Sequence, residues 1–338
     1  MKAMVLQAPG ALACDEVSIP SARAGEVLVR ITHTGLCGTD LKIYKGAIPV
    51  QYPRIMGHEV AGEVVGGEPG ADIVAGDRVI LDPMLFCGAC FHCRKGQMNL
   101  CPNGHFIGRD TDGGFAEYAV VPASHVFRLP ENVDSRTAPL IQVATTCVHA
   151  QRQMPLFAGD SVAVLGLGVS GQLHVQLAKA RGAGPVIGIS RSGFKREMAE
   201  ALGADVTIAP GERAVEKVRE LTAGRGADVV IESTGVMPSL AEAVRMARFG
   251  GRILMFGIMS ATQGVLPFYD LYFKELTLIT GRASKPEDFP DTIGMVERGA
   301  LRLQPLVTHR LALDELEAAI GMVEDGEDRR LKIILDHT

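Results

Sequence analysis

The sequence predicts an α/β protein made of a β-rich domain and a doubly wound parallel sheet, and three observations carry that expectation. Before about residue 150, short β-like runs are separated by glycine and proline turns. Beyond it, apolar β-branched runs alternate with amphipathic stretches. Where that alternation begins lies a glycine-rich loop, Gly166-Leu167-Gly168-Val169-Ser170-Gly171.

The elements follow in order. Lys2–Leu6 reads as a first strand. Ala11-Leu12-Ala13-Cys14 after Lys2 looks like the end of a lipoprotein export signal, but Gln7, Pro9 and Gly10 interrupt the apolar region, so the strand reading is kept. Val27–Ile31, Val60–Val65, Arg78–Leu81 and Ala116–Val121 supply further strands of the β-rich domain. The alternating part opens with a strand at Ser161–Leu165 and a helix at Gly171–Gly182. It continues through strands at Pro185–Ser190, Asp205–Ile208, Asp228–Glu232 and Arg252–Phe256, with helices at Phe194–Leu202, Ala214–Thr222 and Pro238–Arg248 between them. A helix at Asp314–Glu324 and a last strand at Lys332–Leu335 are expected to return to the first domain. The predicted division is therefore 1–150 with 288–338, and 151–287.

Composition excludes several classes of function. With 338 residues, 47% hydrophobic and 22% charged, the chain is long enough for two cores. A net charge of -5 argues against non-specific nucleic-acid binding. No apolar run approaches the roughly 20 residues of a membrane span, so no membrane association is expected. Seven cysteines, four of them clustered, suit metal binding in a reducing cytoplasm better than a disulfide framework. Cys14 and Cys147 are left as buried or inert thiols.

Two cysteine-rich signatures carry chemistry. Cys87, Cys90, Cys93 and Cys101 follow a C-x2-C-x2-C-x7-C spacing within a lobe at about 85–105, and four thiolates with no open position are what a structural tetrahedral zinc requires. Cys37 and His58, in Gly57-His58-Glu59, offer a thiolate and an imidazole that could hold a second zinc and leave room for an exchangeable oxygen ligand, the arrangement of a Lewis-acid site.

The glycine loop follows a predicted strand and opens a predicted helix, the context that marks dinucleotide binding. Gly166 permits the tight turn, Gly168 lets the backbone approach a pyrophosphate, and Gly171 allows close helix packing, with Val169 at the helix start. The next strand ends Gly188-Ile189-Ser190-Arg191-Ser192, with no carboxylate for a ribose 2'-hydroxyl. Arg191, Ser190, Ser192 and Lys195 could instead receive a 2'-phosphate, so NADP(H) is expected over NAD(H).

Taken in order, Gly35-Leu36-Cys37-Gly38-Thr39-Asp40, Gly57-His58-Glu59, the four-cysteine lobe, Gly113-Gly114-Phe115-Ala116-Glu117-Tyr118, the glycine loop and Gly250-Gly251-Arg252 resemble the zinc-dependent medium-chain dehydrogenase/reductase family over nearly the whole chain. The resemblance implies a GroES-like catalytic domain formed from both chain ends, a Rossmann domain between them, and an active site in the cleft. It implies two zinc ions per chain and hydride transfer between a nicotinamide cofactor and a small-molecule alcohol or carbonyl. Gln142 falls where relatives often carry Cys, Asp or Glu, and a neutral amide is a weak zinc ligand. Glu59 is accordingly the preferred third ligand beside Cys37 and His58, against the alternative of a carboxylate that only supports the ligands, with Gln142 coordinating transiently or hydrogen-bonding water or substrate. Thr39 resembles the family's proton-relay hydroxyl, and Lys42 stands where several relatives carry histidine at the end of that relay. Lys332 resembles a basic residue that some relatives use on the pyrophosphate, with a solvated surface charge as the alternative. Assembly as a homodimer or homotetramer is expected. The readings set against this enzyme are a non-enzymatic or regulatory dinucleotide-binding relative and a zinc-independent quinone or enoyl reductase.

Overall fold

The computed structural model describes residues 1–68, 72–326 and 328–337. The chain forms two compact units, one of residues 1–145, 284–298 and the chain from Val307 onward, the other of 146–283 and 299–306. The short segment 299–306 thus joins the second unit, although the sequence pattern assigns it to the first.

The first unit is antiparallel over most of its length. Strands β1 (Lys2–Ala8), β2 (Ala11–Glu16) and β4 (Arg54–Ile55) make a small sheet, order β2-β1-β4. The stretch that resembles an export signal is the hairpin partner of β1, with Cys14 opposite Met4 and exposed. The larger sheet takes β3 (Glu26–Leu36), β5 (Glu59–Gly67), β6 (Arg78–Leu81), β9 (Tyr118–Pro122), β10 (Val126–Arg128), β17 (Val307–Ala312) and β18 (Lys332–Asp336). Along β3, buried and half-buried positions alternate as expected of a sheet with one face on a core. Between β3 and β5 lies helix α1 (Gly38–Tyr44), and between β6 and β9 the zinc-type lobe carries β7 (Met84–Leu85), helix α2 (Phe91–Arg94) and β8 (His105–Phe106). Helix α3 (Pro139–Arg152) carries the boundary between the units.

In the second unit six strands lie parallel: β11 (Val162–Leu165), β12 (Val186–Ile189), β13 (Val206–Ile208), β14 (Ala227–Glu232), β15 (Ala247–Met255) and β16 (Thr277–Thr280), order β13-β12-β11-β14-β15-β16. This is the doubly wound order of a Rossmann fold, which reverses between β11 and β14. β11, β12 and β14 are buried at every position because α4 (Val169–Ala180), α5 (Gly193–Ala201), α6 (Glu212–Leu221), α7 (Met237–Met246) and α8 (Phe268–Phe273) accompany the sheet. α6 shows the logic locally: Ala214, Val215 and Val218 turn inward and its charges outward. Back in the first unit, α9 (Asp288–Glu297) and α10 (Leu316–Glu324) follow, and α10 connects β17 to the parallel β18. No helix of the described residues is long and apolar enough to cross a membrane.

Buried histidine makes the second unit acid-sensitive. His174 on α4 is fully buried, hydrogen-bonds Gln151 Nε2 at 3.1 Å, and is held at about 3 by burial and by the charge of Arg181. A folded-state value below the ordinary 6.5 means that the unfolded chain takes up the proton first. This contribution is therefore complete above pH 6.5 and is lost as pH falls from there toward 3. By pH 5 the loss amounts to about 2 kcal/mol. Urea titrations at pH 7 and pH 5 should show that loss in the wild type and not in His174→Gln. Equal losses in both proteins would contradict it.

Candidate functional site

The four cysteines of the lobe converge as the spacing requires. Their Sγ atoms all lie within 4.8 Å of one another, with Cys87–Cys101 at 3.5 Å, Cys90–Cys101 at 3.8 Å and Cys87–Cys93 at 4.0 Å. A zinc–sulfur bond of about 2.3 Å gives a regular tetrahedron an edge of about 3.8 Å, so the cage has the size of the ion. Cys90 caps α2 and accepts from the Cys93 amide, and Cys87 is drawn down to about 6 by amide donors from Ala89 and Cys90. Cys93 goes the other way, pushed up to about 12 by burial and the neighbouring thiols, so Cys87 is the thiolate that the fold itself prepares for a metal.

The second cluster is built by sheet register. β5 pairs with β3 so that Glu59 stands opposite Gly35, and β18 pairs with β3 so that Ile333 stands opposite Leu36. A side chain at Gly35 would collide with Glu59 Oε2, so glycine there makes room for the carboxylate. Lys332, at the start of β18, then donates to Glu59 Oε1 and Oε2, both at 2.7 Å, and to the Leu36 carbonyl at 3.1 Å. The ion pair is buried on both sides, with the side chains 5% and 1% exposed.

Cys37 and His58 are fixed by one carboxylate. Asp40, wholly buried in the first turn of α1, accepts from the Cys37 amide at 2.9 Å and faces His58 Nδ1 at 3.3 Å, which leaves Nε2 as the imidazole's ligand atom. The Asp40–His58 contact is an electrostatic one, since its alignment falls short of a hydrogen bond. Burial by itself would lower His58; the charge of Asp40 and the neighbouring Cys37 outweigh it and hold the imidazole well above 6.5. A cation at Nε2 would take the place of that proton. Cys37, His58 and Glu59 bring one ligand atom each within 4.8 Å of one another, so the donor set suits zinc.

Glycines hold this centre to the segment that runs from the lobe to β9. Gly57, at φ +93°, leaves no room for a Cβ because the Phe115 ring lies against it, while Gly114 N and Phe115 N donate to the carbonyls of Gly57 and Met56. The Gly113-Gly114-Phe115 motif is thus a packing partner of Gly57-His58-Glu59. Phe106 adds a ring 5.1 Å from that of His58.

In the second unit the glycine loop has the geometry that its motif asks for. Gly166 takes φ +90° against Thr234, and a side chain at Gly171 would strike the Gly166 carbonyl. A Cβ at Gly168, which precedes Val169 and caps α4, would meet nothing within 4 Å, so the loop's outer face is open to a ligand at a helix N-terminus. Beyond β12, Ser192 caps α5 by accepting from the Lys195 amide, Ser190 Oγ accepts from Ser192 N, and Arg191 is exposed. Arg196 Nη1 donates to the carbonyls of Ser190 and Arg191, at 2.7 and 3.0 Å, and fixes that segment.

The remaining expected residues are less gathered. Thr39 is half-buried on α1 and Lys42 is exposed one turn later; Gln142 is buried on α3. Lys332 requires correction. All three of its ammonium hydrogens go to Glu59 and Leu36, so it has none for a pyrophosphate and is no solvated charge. Asp40, Phe106 and Arg196 were not anticipated as site residues. Of these only Asp40 left a signal, as the acid three positions after Cys37.

Comparison with known proteins fits the geometry. The chain matches the alcohol dehydrogenase GroES-like domain over residues 23–131 and the zinc-binding dehydrogenase domain over residues 170–298. It is 37% identical to the L-threonine 3-dehydrogenase of Pyrococcus furiosus over 329 residues, 95% of this chain and 94% of that one. The chain belongs to the zinc-dependent medium-chain dehydrogenase/reductase family. This dehydrogenase is also 31% identical to the sorbitol dehydrogenase of Halalkalibacterium halodurans over 99% of both chains. Among solved structures it resembles a Sinorhizobium meliloti protein bound to NADP, with a TM-score of 0.92, 32% identity and 99% of each chain covered.

Proposed function

We propose that this dehydrogenase transfers hydride between NADP(H) and a secondary alcohol or polyol, or the corresponding ketone. The observation that carries the cofactor reading is the segment after β12. Ser190, Arg191 and Ser192 offer one exposed guanidinium and two hydroxyls where a carboxylate would select NAD(H), and the Sinorhizobium meliloti relative binds NADP. Arg196 adds a second cation that holds the backbone of that segment in place.

On this reading Cys37, His58 and Glu59 hold the catalytic zinc, and Cys87, Cys90, Cys93 and Cys101 a structural one. Bound there, zinc would supply Lewis acidity to a substrate oxygen. The chain does the rest. Asp40 orients His58, Lys332 aligns the Glu59 carboxylate, and Gln142 hydrogen-bonds the substrate or a water. Thr39 Oγ1 accepts a hydrogen bond from the substrate hydroxyl and, as that proton arrives, releases its own toward solvent, where the exposed Lys42 marks the outer end of the route. The secondary-alcohol class draws on relatives named for threonine and sorbitol.

The same reading has a cytoplasmic homodimer or homotetramer. All seven cysteines are free. Among the described residues β16 pairs on one side only, with β15, and Phe249, Phe268, Tyr269, Tyr272 and Phe273, which belong to β15 and α8, are exposed. Two intact ligand clusters favour neither a regulatory binding protein nor a zinc-free reductase.

Steady-state kinetics of Arg191→Ala test the cofactor reading. Loss of a charge-assisted contact worth about 1.5–3 kcal/mol should raise the NADP Michaelis constant roughly ten- to a hundredfold. The NAD constant should stay within about a factor of two. An unchanged NADP/NAD preference would defeat the assignment.

A further inference from the structure

Gln172 is the first residue of α4 after the glycine loop, and it is fully buried. Its Nε2 donates to two carbonyls, Leu167 O inside the glycine loop at 3.2 Å and Lys195 O in the first turn of α5 at 2.7 Å. One carbonyl belongs to the loop that faces a pyrophosphate and the other to the segment that follows Arg191. The amide cannot be reversed, because Oε1 would then face two acceptors. In the observed orientation Oε1 is buried without a partner among the described residues. That cost works against the two hydrogen bonds that Nε2 makes, so stability gives a glutamine little advantage at this position over an apolar side chain of the same length.

We propose that Gln172 is a positioning residue that sets the distance between the two halves of the dinucleotide site. The inference rests on the reading of Gly166–Gly171 as the pyrophosphate loop and of Ser190–Ser192 as the ribose segment. A ligand that spans both gains from having the second subsite already in place once the first is filled, and the gain depends on their spacing. A ligand held by one subsite gains nothing from it. Gln172 acts from behind the site, through two backbone carbonyls, and it fixes spacing where Arg191 supplies charge. The sheet joins the two segments at their base, where Gly166 N donates to the Ile189 carbonyl at 2.9 Å, while the adjacent side-chain contacts brace one side each: Arg196 and the Ser192 cap secure the ribose segment to itself, and close packing at Gly171 secures the helix to the glycine loop. Among these side-chain contacts the Gln172 amide is the one that reaches from the loop to the first turn of α5, beyond the strand ends that the backbone joins.

The experiment is calorimetric titration of the full chain and of Gln172→Met and Gln172→Ala, with thermal melting to identify variants that fold. NADP+ spans both segments, whereas adenosine 2'-monophosphate reaches only the second. In either variant the Kd for NADP+ should rise roughly tenfold or more, while that for adenosine 2'-monophosphate stays within about twofold. An unmoved NADP+ affinity would overturn the proposal. So would an equal loss for both ligands, which would mean collapse of the Arg191 segment, and so would failure of both variants to fold, since Gln172 would then be a residue of the core. The cofactor preference is read separately, from the wild type. If the wild type prefers NAD+, the 2'-phosphate assignment fails and the Gln172 comparison is made with NAD+ against adenosine, with the same criteria.

Discussion

Cys37→Ser is expected to reduce alcohol oxidation by a factor on the order of 10³ or more while leaving the protein folded, because Lewis-acid stabilisation contributes several kcal/mol to such a transition state. The cluster at Cys37 has one thiolate, and the Asp40 carboxylate that orients His58 also receives the Cys37 amide, so the backbone there survives the change of side chain. Cys93→Ser should do the opposite. It removes one corner of a cage whose size is that of the ion, and structural zinc of this kind contributes about 10 kcal/mol or more to the fold around it. Elemental analysis should find two zinc ions per chain in the wild type, one in folded Cys37→Ser, and an unfolded or protease-sensitive lobe in Cys93→Ser. One zinc in the wild type together with a fully active Cys37→Ser would refute the catalytic assignment.

What could be read in the sequence was whatever local pattern encodes. β11, β12 and β14 are apolar throughout because they are covered on both faces, so their positions stood out. The cysteine lobe closes within 15 residues, Cys87 to Cys101, and its spacing alone gave the cage. β17 went unnoticed because His309 and Arg310 interrupt its apolar pattern and its pairing depends on β18, beyond α10. The role of Lys332 was illegible for the same reason on a larger scale. Its partner lies 273 residues away, and only the register of β3 with β5 and β18 brings the two together. Gln172 leaves no signal in the sequence because its two acceptors are backbone carbonyls, which any residue supplies.

Lys332→Met is expected to destabilise the metal-free protein by about 3–5 kcal/mol, the usual consequence of removing one partner from a buried pair. The cation nearest to Glu59 after Lys332 is the His58 imidazole, with a ligand atom within 4.8 Å, and its charge is already engaged by Asp40. The carboxylate is 1% exposed and fills the gap above Gly35, so water does not reach it in place of the ammonium. The double variant Lys332→Met/Glu59→Gln should recover most of that loss, because the cost comes from the stranded charge rather than from the absence of an attraction. Zinc supplies a second check. If Glu59 is a ligand of the catalytic zinc, the metal-loaded Lys332→Met protein gives the carboxylate another cation, and its urea midpoint should lie closer to that of the loaded wild type than the metal-free midpoints lie to each other. If Glu59 only stands beside the metal, that relief should be small, and the two gaps should be alike. A loss below about 1 kcal/mol in the metal-free single variant would show that the pair is not held as the register of β3, β5 and β18 implies.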